Sequence, residues 1–126
     1  MNDFGILLWL LTAHFIGDFV LQSHWMALNK SKANWPLFVH VCTYTATIAA
    51  AMLLIQYVRG YGDLELFGSL VGLNFVAHFI TDWVTSRINA HLWKEKEVHW
   101  FFVGVGFDQL IHTWTLGITA SFLYNL

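Results

Sequence analysis

Long apolar stretches alternate with short polar ones along this chain. Four predominantly hydrophobic runs cover positions 4–22, 37–58, 66–88 and 100–123. Each run is close to the roughly 20 residues with which a helix spans a bilayer. The pattern predicts a single all-α transmembrane domain, a four-helix bundle made of two tandem helical hairpins.

Composition supports lipid as the solvent of these helices. Hydrophobic residues make up 57% of the 126 positions and charged residues only 11%, whereas soluble domains are about 25% charged. Trp35, Trp93 and Trp100 lie near the ends of apolar runs, as in the aromatic belts of membrane proteins. The lipid bilayer is therefore an expected partner. A net charge of −2 without a basic run argues against nucleic acid.

The distribution of basic residues predicts an orientation. Lys30 and Lys32 lie between the first two runs, Arg87, Lys94 and Lys96 lie at or after the end of the third, and Arg59 alone lies on the other side. Cytoplasmic loops are enriched in Lys and Arg. We expect a bacterial inner-membrane protein with both termini outside the cytoplasm, and association into a homo-oligomer stays open.

An internal repeat relates the first and third runs. The segments "TAHFIGDFVLQ" at 12–22 and "VAHFITDWVTS" at 76–86 share Ala, His, Phe, Ile, Asp and Val at equivalent positions. The second and fourth runs match more weakly, with His40 aligned to His112 and Thr43 to Thr115. Parallel repeats of this kind are related by an axis along the membrane normal. The repeat predicts internal pseudo-twofold symmetry.

Ionisable residues inside the apolar runs form three His and Asp pairs, each separated by four positions, and one further histidine. They are His14, Asp18, His40, His78, Asp82, Asp108 and His112. Residues four apart share one helix face. An ionised aspartate at the centre of a membrane helix costs roughly 2.5–3.5 kcal/mol, and the runs contain no Lys or Arg before Arg87. Imidazolium partners or bound cations must supply the positive charge.

Two divalent ions and one bridging hydroxide would balance three aspartates, so the sequence predicts two metal ions bound by all seven residues. Imidazole and carboxylate ligands suit transition metals; zinc is the first choice, and iron or manganese the second. Asp108 is expected to serve as a ligand or as the catalytic general base. Gln22, Asn74 and Gln109 are candidates to orient the ligands or meet the substrate. We expect His24, His91 and His99 to be solvated histidines of loops or span edges.

The segments "HFIGDFVLQ", "HFITDW" and "DQLIH" occur in this order over nearly the whole chain. In this respect the sequence resembles a family of small bacterial and phage membrane proteins known as domain of unknown function 3307. In its four-helix size and its His- and Asp-rich spans, it is more loosely similar to membrane-bound metal-dependent hydrolases. The second resemblance implies hydrolytic chemistry.

The leading hypothesis is a dinuclear-metal-dependent hydrolase that acts on an amphipathic or phosphoester substrate at the cytoplasmic side. Two metal ions can generate a hydroxide near neutral pH and stabilise both the attacking and the leaving oxygen. Three alternatives stay open. The same residues could form the pathway of a proton or divalent-ion transporter or channel, a structural polar core, or the ligands of a haem.

Overall fold

The structure of the protein is a computed structural model that describes residues 2–125. In that part of the chain it contains helices and no strand, which confirms the all-α prediction. Helix α1 (Asp3–Phe15) continues into a π-helical turn, Ile16–Val20. It is followed by a short helix α2 (His24–Asn29) and by the long helices α3 (Asn34–Arg59), α4 (Leu64–Lys94) and α5 (Val98–Tyr124).

Two of these helices are long and apolar enough to cross a membrane. They are α3, with 26 residues, and α4, with 31 residues; the apolar segment Phe4–Val20 is shorter. Helix α5 has 27 residues, but Asp108, Gln109 and His112 interrupt its apolar character. Membrane crossing by α1 and α5 therefore stays a prediction from the sequence.

Four helical segments form the bundle: α1 with its π-helical turn, α3, α4 and α5, called below the four longer helical segments. They pack side by side, with α1 against α3 and α5, and α4 against the same two helices. One half of their shared interior is apolar. This core is formed mainly by residues from the start of α1 and the ends of α3 and α5: Ile6, Leu10, Tyr44, Ile48, Met52, Ile55, Leu70, Leu116, Ala120 and Leu123. The other half contains the histidines and aspartates described below.

Local sequence signals account for the helix boundaries. The side chain of Ser23 accepts a hydrogen bond from the backbone N–H of Met26 and begins α2, which lies in the polar segment between the first two predicted spans. The side chain of Asp63 caps α4 in the same way. These are standard N-terminal caps. Helix α3 ends at Gly60, whose φ of 74° is the left-handed conformation that glycine adopts readily.

The π-helical turn brings α1 unusually close to α3. A Cβ atom on Gly17 would lie 3.2 Å from Cα of Tyr44 and 3.2 Å from Cβ of Thr47. Such turns are frequent at functional sites in helices. The turn contains Asp18, so the glycine permits the backbone approach that fixes the position of this carboxylate.

We predict that Gly17→Ala destabilises the protein by about 1–3 kcal/mol, because the added methyl group overpacks the contact with the α3 backbone. The matched control is Gly72→Ala on α4, where a Cβ atom meets nothing within 4 Å. Alanine at that helical position should be neutral or stabilising by up to about 1 kcal/mol. Thermal unfolding followed by circular dichroism measures both effects. A Gly17→Ala variant as stable as the control would contradict the proposed close contact.

Candidate metal centre

The four longer helical segments bring their histidines and aspartates together in one half of the interior. The side chains of six of these residues are buried: His14, Asp18, His40, His78, Asp82 and His112. The seventh, Asp108, keeps 15% of its side chain exposed. The residues that the sequence spaces one turn apart on separate helices therefore meet in a single cluster.

A first group of possible ligands consists of Asp18, His40, His78 and Asp82. The Nε2 atom of His40 lies 3.0 Å from Oδ1 of Asp18 and 3.3 Å from Oδ2 of Asp82. The Nε2 atom of His78 lies 3.2 Å from that of His40 and 3.5 Å from the Oδ1 atom of each aspartate. Ligand atoms bound to one tetrahedral zinc ion are about 3.3 Å apart. These separations fit a single metal ion.

A second group consists of Asp18, Asp108 and His112, and it shares Asp18 with the first. The Nε2 atom of His112 lies 3.5 Å from Oδ2 of Asp108 and 3.0 Å from Oδ1 of Asp82. A carboxylate has two oxygens and can therefore contact two ions. The cluster can hold a metal ion, and Asp18 is positioned between its two groups.

His14 lies at the edge of the cluster. Its Nε2 atom is 3.8 Å from Oδ2 of Asp18 and 3.0 Å from Oε1 of Gln109. The amide nitrogen of Gln109 in turn donates a 3.0 Å hydrogen bond to Oδ2 of Asp108. Gln109 thus connects the histidine of α1 to the least buried aspartate, a contact that suits the orienting role predicted for this residue.

The other two predicted polar residues, Asn74 and Gln22, have different surroundings. Asn74 is buried between α4 and α5, where its amide donates to the Leu70 carbonyl and to the hydroxyl of Thr119. Gln22 lines a cavity beside the cluster. The three remaining histidines, His24, His91 and His99, are exposed.

Lys30 is a contact that the sequence reasoning missed, and it corrects the charge balance. Its Nζ atom lies 2.9 Å from Oδ2 of Asp82, because α2 packs on α3 and turns the chain back toward the cluster. Burial alone would lower the pKa of Lys30, but the carboxylates of Asp82 and Asp18 outweigh that effect and raise the pKa above 10.5. Lys30 lies outside the apolar runs, and its contact with Asp82 overturns the inference that only imidazolium groups or bound cations supply positive charge to the aspartates.

With neutral imidazoles, the three aspartates and Lys30 leave a charge of −2 on the site. One divalent ion balances this charge. Two divalent ions exceed it by two positive charges, which a dianionic ligand such as a phosphate monoester would balance. The bridging hydroxide inferred from the sequence is therefore no longer needed for neutrality.

Two further side chains were missed, although helical spacing could have revealed them. The hydroxyl of Thr85 donates a 2.5 Å hydrogen bond to Oδ1 of Asp108, and Thr85 follows Asp82 by three positions on α4. The ring of Tyr44 stacks on His78 with a centroid distance of 3.7 Å, and Tyr44 follows His40 by four positions on α3. Both spacings place the partner on the helix face that carries a predicted ligand.

A cavity of about 780 Å³ opens beside the cluster. One wall comes from the π-helical turn and from α2 with the residues that follow it, and the other from α4 and α5. Polar residues that line it include Asp18, Asp82, Asp108, Lys30 and Lys32, and apolar ones include Phe19, Leu28, Trp93, Phe101 and Phe102. The three aspartates of the cluster thus border a space that can take a molecule with both polar and apolar parts.

Comparison with known proteins gives the family of this chain. Neither the curated proteins nor the solved structures include a match. One family model, described as "Protein of unknown function (DUF3307)", matches residues 6–126. This range contains all seven predicted ligands and every residue of the cavity wall. The chain therefore belongs to the DUF3307 family.

Proposed function

We propose that the protein is a membrane-embedded, metal-dependent hydrolase that cleaves a phosphoester in an amphipathic substrate. The observation that carries this proposal is the pair of ligand groups that share Asp18 and whose aspartates line a cavity with Lys30 and Lys32. Open access is typical of catalytic rather than structural metal sites.

Membrane insertion of all four longer helical segments is supported by the distribution of side chains. Large apolar residues are exposed on the outer faces of these helices, for example Trp9, Leu54, Ile80, Trp114 and Ile118. The histidines and aspartates of the cluster instead occupy the interior. Membrane proteins direct intramembrane charges toward the inside of the bundle, and large exposed apolar patches are rare in soluble monomers.

The proposed arrangement is a pair of tandem hairpins related by a pseudo-twofold axis. In each hairpin the aspartate of the first helix pairs with a histidine of the second. The distance from His40 to Asp18 and that from His112 to Asp82 are both 3.0 Å. The His–Asp distance within the first helix of each hairpin is also similar. It is 3.8 Å from His14 to Asp18 in the first hairpin and 3.5 Å from His78 to Asp82 in the second.

We propose two divalent transition-metal ions at the two ligand groups, with zinc as the first choice and iron or manganese as the second. Imidazole and carboxylate ligands suit these metals better than calcium or magnesium. When bound, such ions lower the pKa of water and neutralise charge on phosphoryl oxygens. The net charge of −2 on the protein groups leaves a site with two ions suited to an anionic substrate.

Asp108 is the proposed general base. It is the least buried carboxylate of the cluster, it lines the cavity, and hydrogen bonds from Thr85 and Gln109 hold its two oxygens. Asp108 accepts a proton from the attacking water. The oxygen of that water bonds to phosphorus while the ester P–O bond breaks. The leaving oxygen then takes up a proton, which gives an alcohol and a phosphate.

Metal content provides the first test. We expect about two equivalents of a transition metal in protein purified in mild detergent without a metal-affinity tag. Asp18→Asn should lose both equivalents because the two groups share this residue, whereas His78→Ala should lose mainly one. His91→Ala, at an exposed position outside the cluster, is the control. Elemental analysis measures the metal, and a metal-free native protein that retains its fold would refute the proposed function.

Loss of the general base provides the second test. Asp108→Asn should lower the turnover of a phosphodiester by about 10²–10⁴-fold, while the ion at the first ligand group stays bound because Asp108 does not belong to that group. Glu97→Gln changes an exposed carboxylate outside the site and should leave turnover unchanged. Phosphorus NMR measures the product. Equal turnover in the two variants would contradict the role of Asp108, and divalent-ion flux in proteoliposomes without hydrolysis would favour the transporter hypothesis.

A further inference from the structure

The cavity beside the cluster has a polar region with unused hydrogen-bonding atoms. Gln22, after the π-helical turn, and Ser86, on α4, line it from opposite walls. Within residues 2–125, Oε1 of Gln22 and Oγ of Ser86 are buried and lack a hydrogen-bond partner. A buried polar atom without a partner lowers stability, because it has lost its hydrogen bonds to water. A rotation of either side chain toward the cavity would bring its polar atom to a donor on a bound molecule and so remove this cost.

The charged residues of the wall restrict what can supply those donors. Lys30 and Lys32 line the same cavity, and Lys30 is already paired with Asp82. The positive charge of Lys32 favours an anion in the cavity. Hydroxyl groups can donate hydrogen bonds to Gln22 and Ser86 without adding a positive charge next to the lysines.

The cavity also has apolar lining residues, and they come from both walls. The rings of Trp93 and Phe101 lie 5.0 Å apart and line the cavity with Phe102 and Leu28. Trp93 and Phe102 also keep 60% and 64% of their surfaces exposed, so the apolar wall continues to the outer surface of the helices. A hydrocarbon chain from the bilayer can therefore lie along this wall while its head group reaches the cluster.

Size also favours a ligand larger than a free phosphate. A cavity of about 780 Å³ lies within the range of roughly 300–1,000 Å³ that is common for drug-sized ligands. An inorganic phosphate is only a few times larger than a water molecule, which takes about 30 Å³. A free phosphate would therefore leave the aromatic side chains of the cavity without a contact.

We propose that the substrate is a phospholipid-like anionic phosphoester with a hydroxyl-bearing head group. Its hydroxyls bind between Gln22 and Ser86, its negative charge lies near Lys32, and its chain packs on Trp93 and Phe101. This assignment rests on the proposed function because it names the substrate class of the same site. It identifies Gln22, Ser86 and Lys32 as specificity-determining residues rather than metal ligands.

A binding experiment tests the head group and the chain separately. The Asp108→Asn variant, purified with its metal, is titrated by calorimetry with dihexanoyl phosphatidylglycerol, dihexanoyl phosphatidylcholine and glycerol 3-phosphate. We expect phosphatidylglycerol to bind about tenfold or more tightly than either other probe, since only it combines charge, hydroxyls and chains. Equal binding of the two lipids would overturn the head-group assignment. Equal binding of glycerol 3-phosphate would overturn the role of the apolar wall.

Variants of the wall supply a second, independent measurement. Ser86→Ala should weaken phosphatidylglycerol by about 2- to 10-fold, the range of one neutral hydrogen bond, without changing phosphatidylcholine affinity or metal content. Ser69→Ala is the matched control, because Ser69 lies on the same helix but outside the cavity wall. Lys32→Met should weaken phosphatidylglycerol more than phosphatidylcholine. An unchanged lipid preference in Ser86→Ala and Lys32→Met would overturn the proposal.

The outcome for substrate binding and the outcome for hydrolysis are separable. Selective phosphatidylglycerol binding without product from the wild-type protein would refute the hydrolase and retain the cavity as a lipid-binding site. Equal hydrolysis of both lipids, unaffected by Ser86→Ala, would refute the substrate assignment and retain the hydrolase. Phosphorus NMR of the wild-type protein with each lipid distinguishes these results.

Discussion

Burial of carboxylates is the constraint on which the rest of this structure depends. Removing a carboxylate from water costs several kcal/mol unless opposite charge and hydrogen bonds compensate. Asp18 and Asp82 are both nearly fully buried, and their oxygens are surrounded by imidazoles from other helices and by the ammonium group of Lys30. Contacts with Asp18 and Asp82 therefore help to position the four longer helical segments and the short helix α2.

This constraint explains why the interior is divided into two halves. Apolar side chains such as Leu10, Ile48 and Leu116 fill one half and hold the helices together through close packing. In the other half, polar contacts among histidines and aspartates replace apolar packing. Gly17 allows α1 to approach α3 closely beside Asp18. The apolar half can fix the helix positions while the polar half keeps ligand atoms that are not saturated by the protein.

Much of this arrangement follows from sequence spacing, and some of it does not. The all-α class and the grouping of His14 with Asp18, or His78 with Asp82, follow from the helical period, which places residues four apart on one face. The same rule could have identified Tyr44 and Thr85. Lys30 could not be found in this way, because its contact with Asp82 depends on the path of the chain through α2 between two longer helices.

The size and position of the cavity also could not be predicted from the hydrophobic pattern. Its walls combine the π-helical turn and α2 with the first half of α5, which are far apart in the sequence. A pattern along one helix shows which residues share a face, but it does not show how far that face lies from the next element. The departure from regular α-helix at Ile16–Val20 also has no clear signal in the hydrophobic pattern.

If the proposed metal and anion bind, the contact between Lys30 and Asp82 would couple the two binding events. The oxygen that accepts the lysine is also the one 3.3 Å from His40, so an ion that took this oxygen would compete with the ammonium group. Lys30 lines the cavity, so its charge would become available to an anion there once it left Asp82. By thermodynamic linkage, an anion that bound the freed lysine would strengthen metal binding by the same factor. The metal ion and the anion would then both favour the state in which Lys30 has left Asp82.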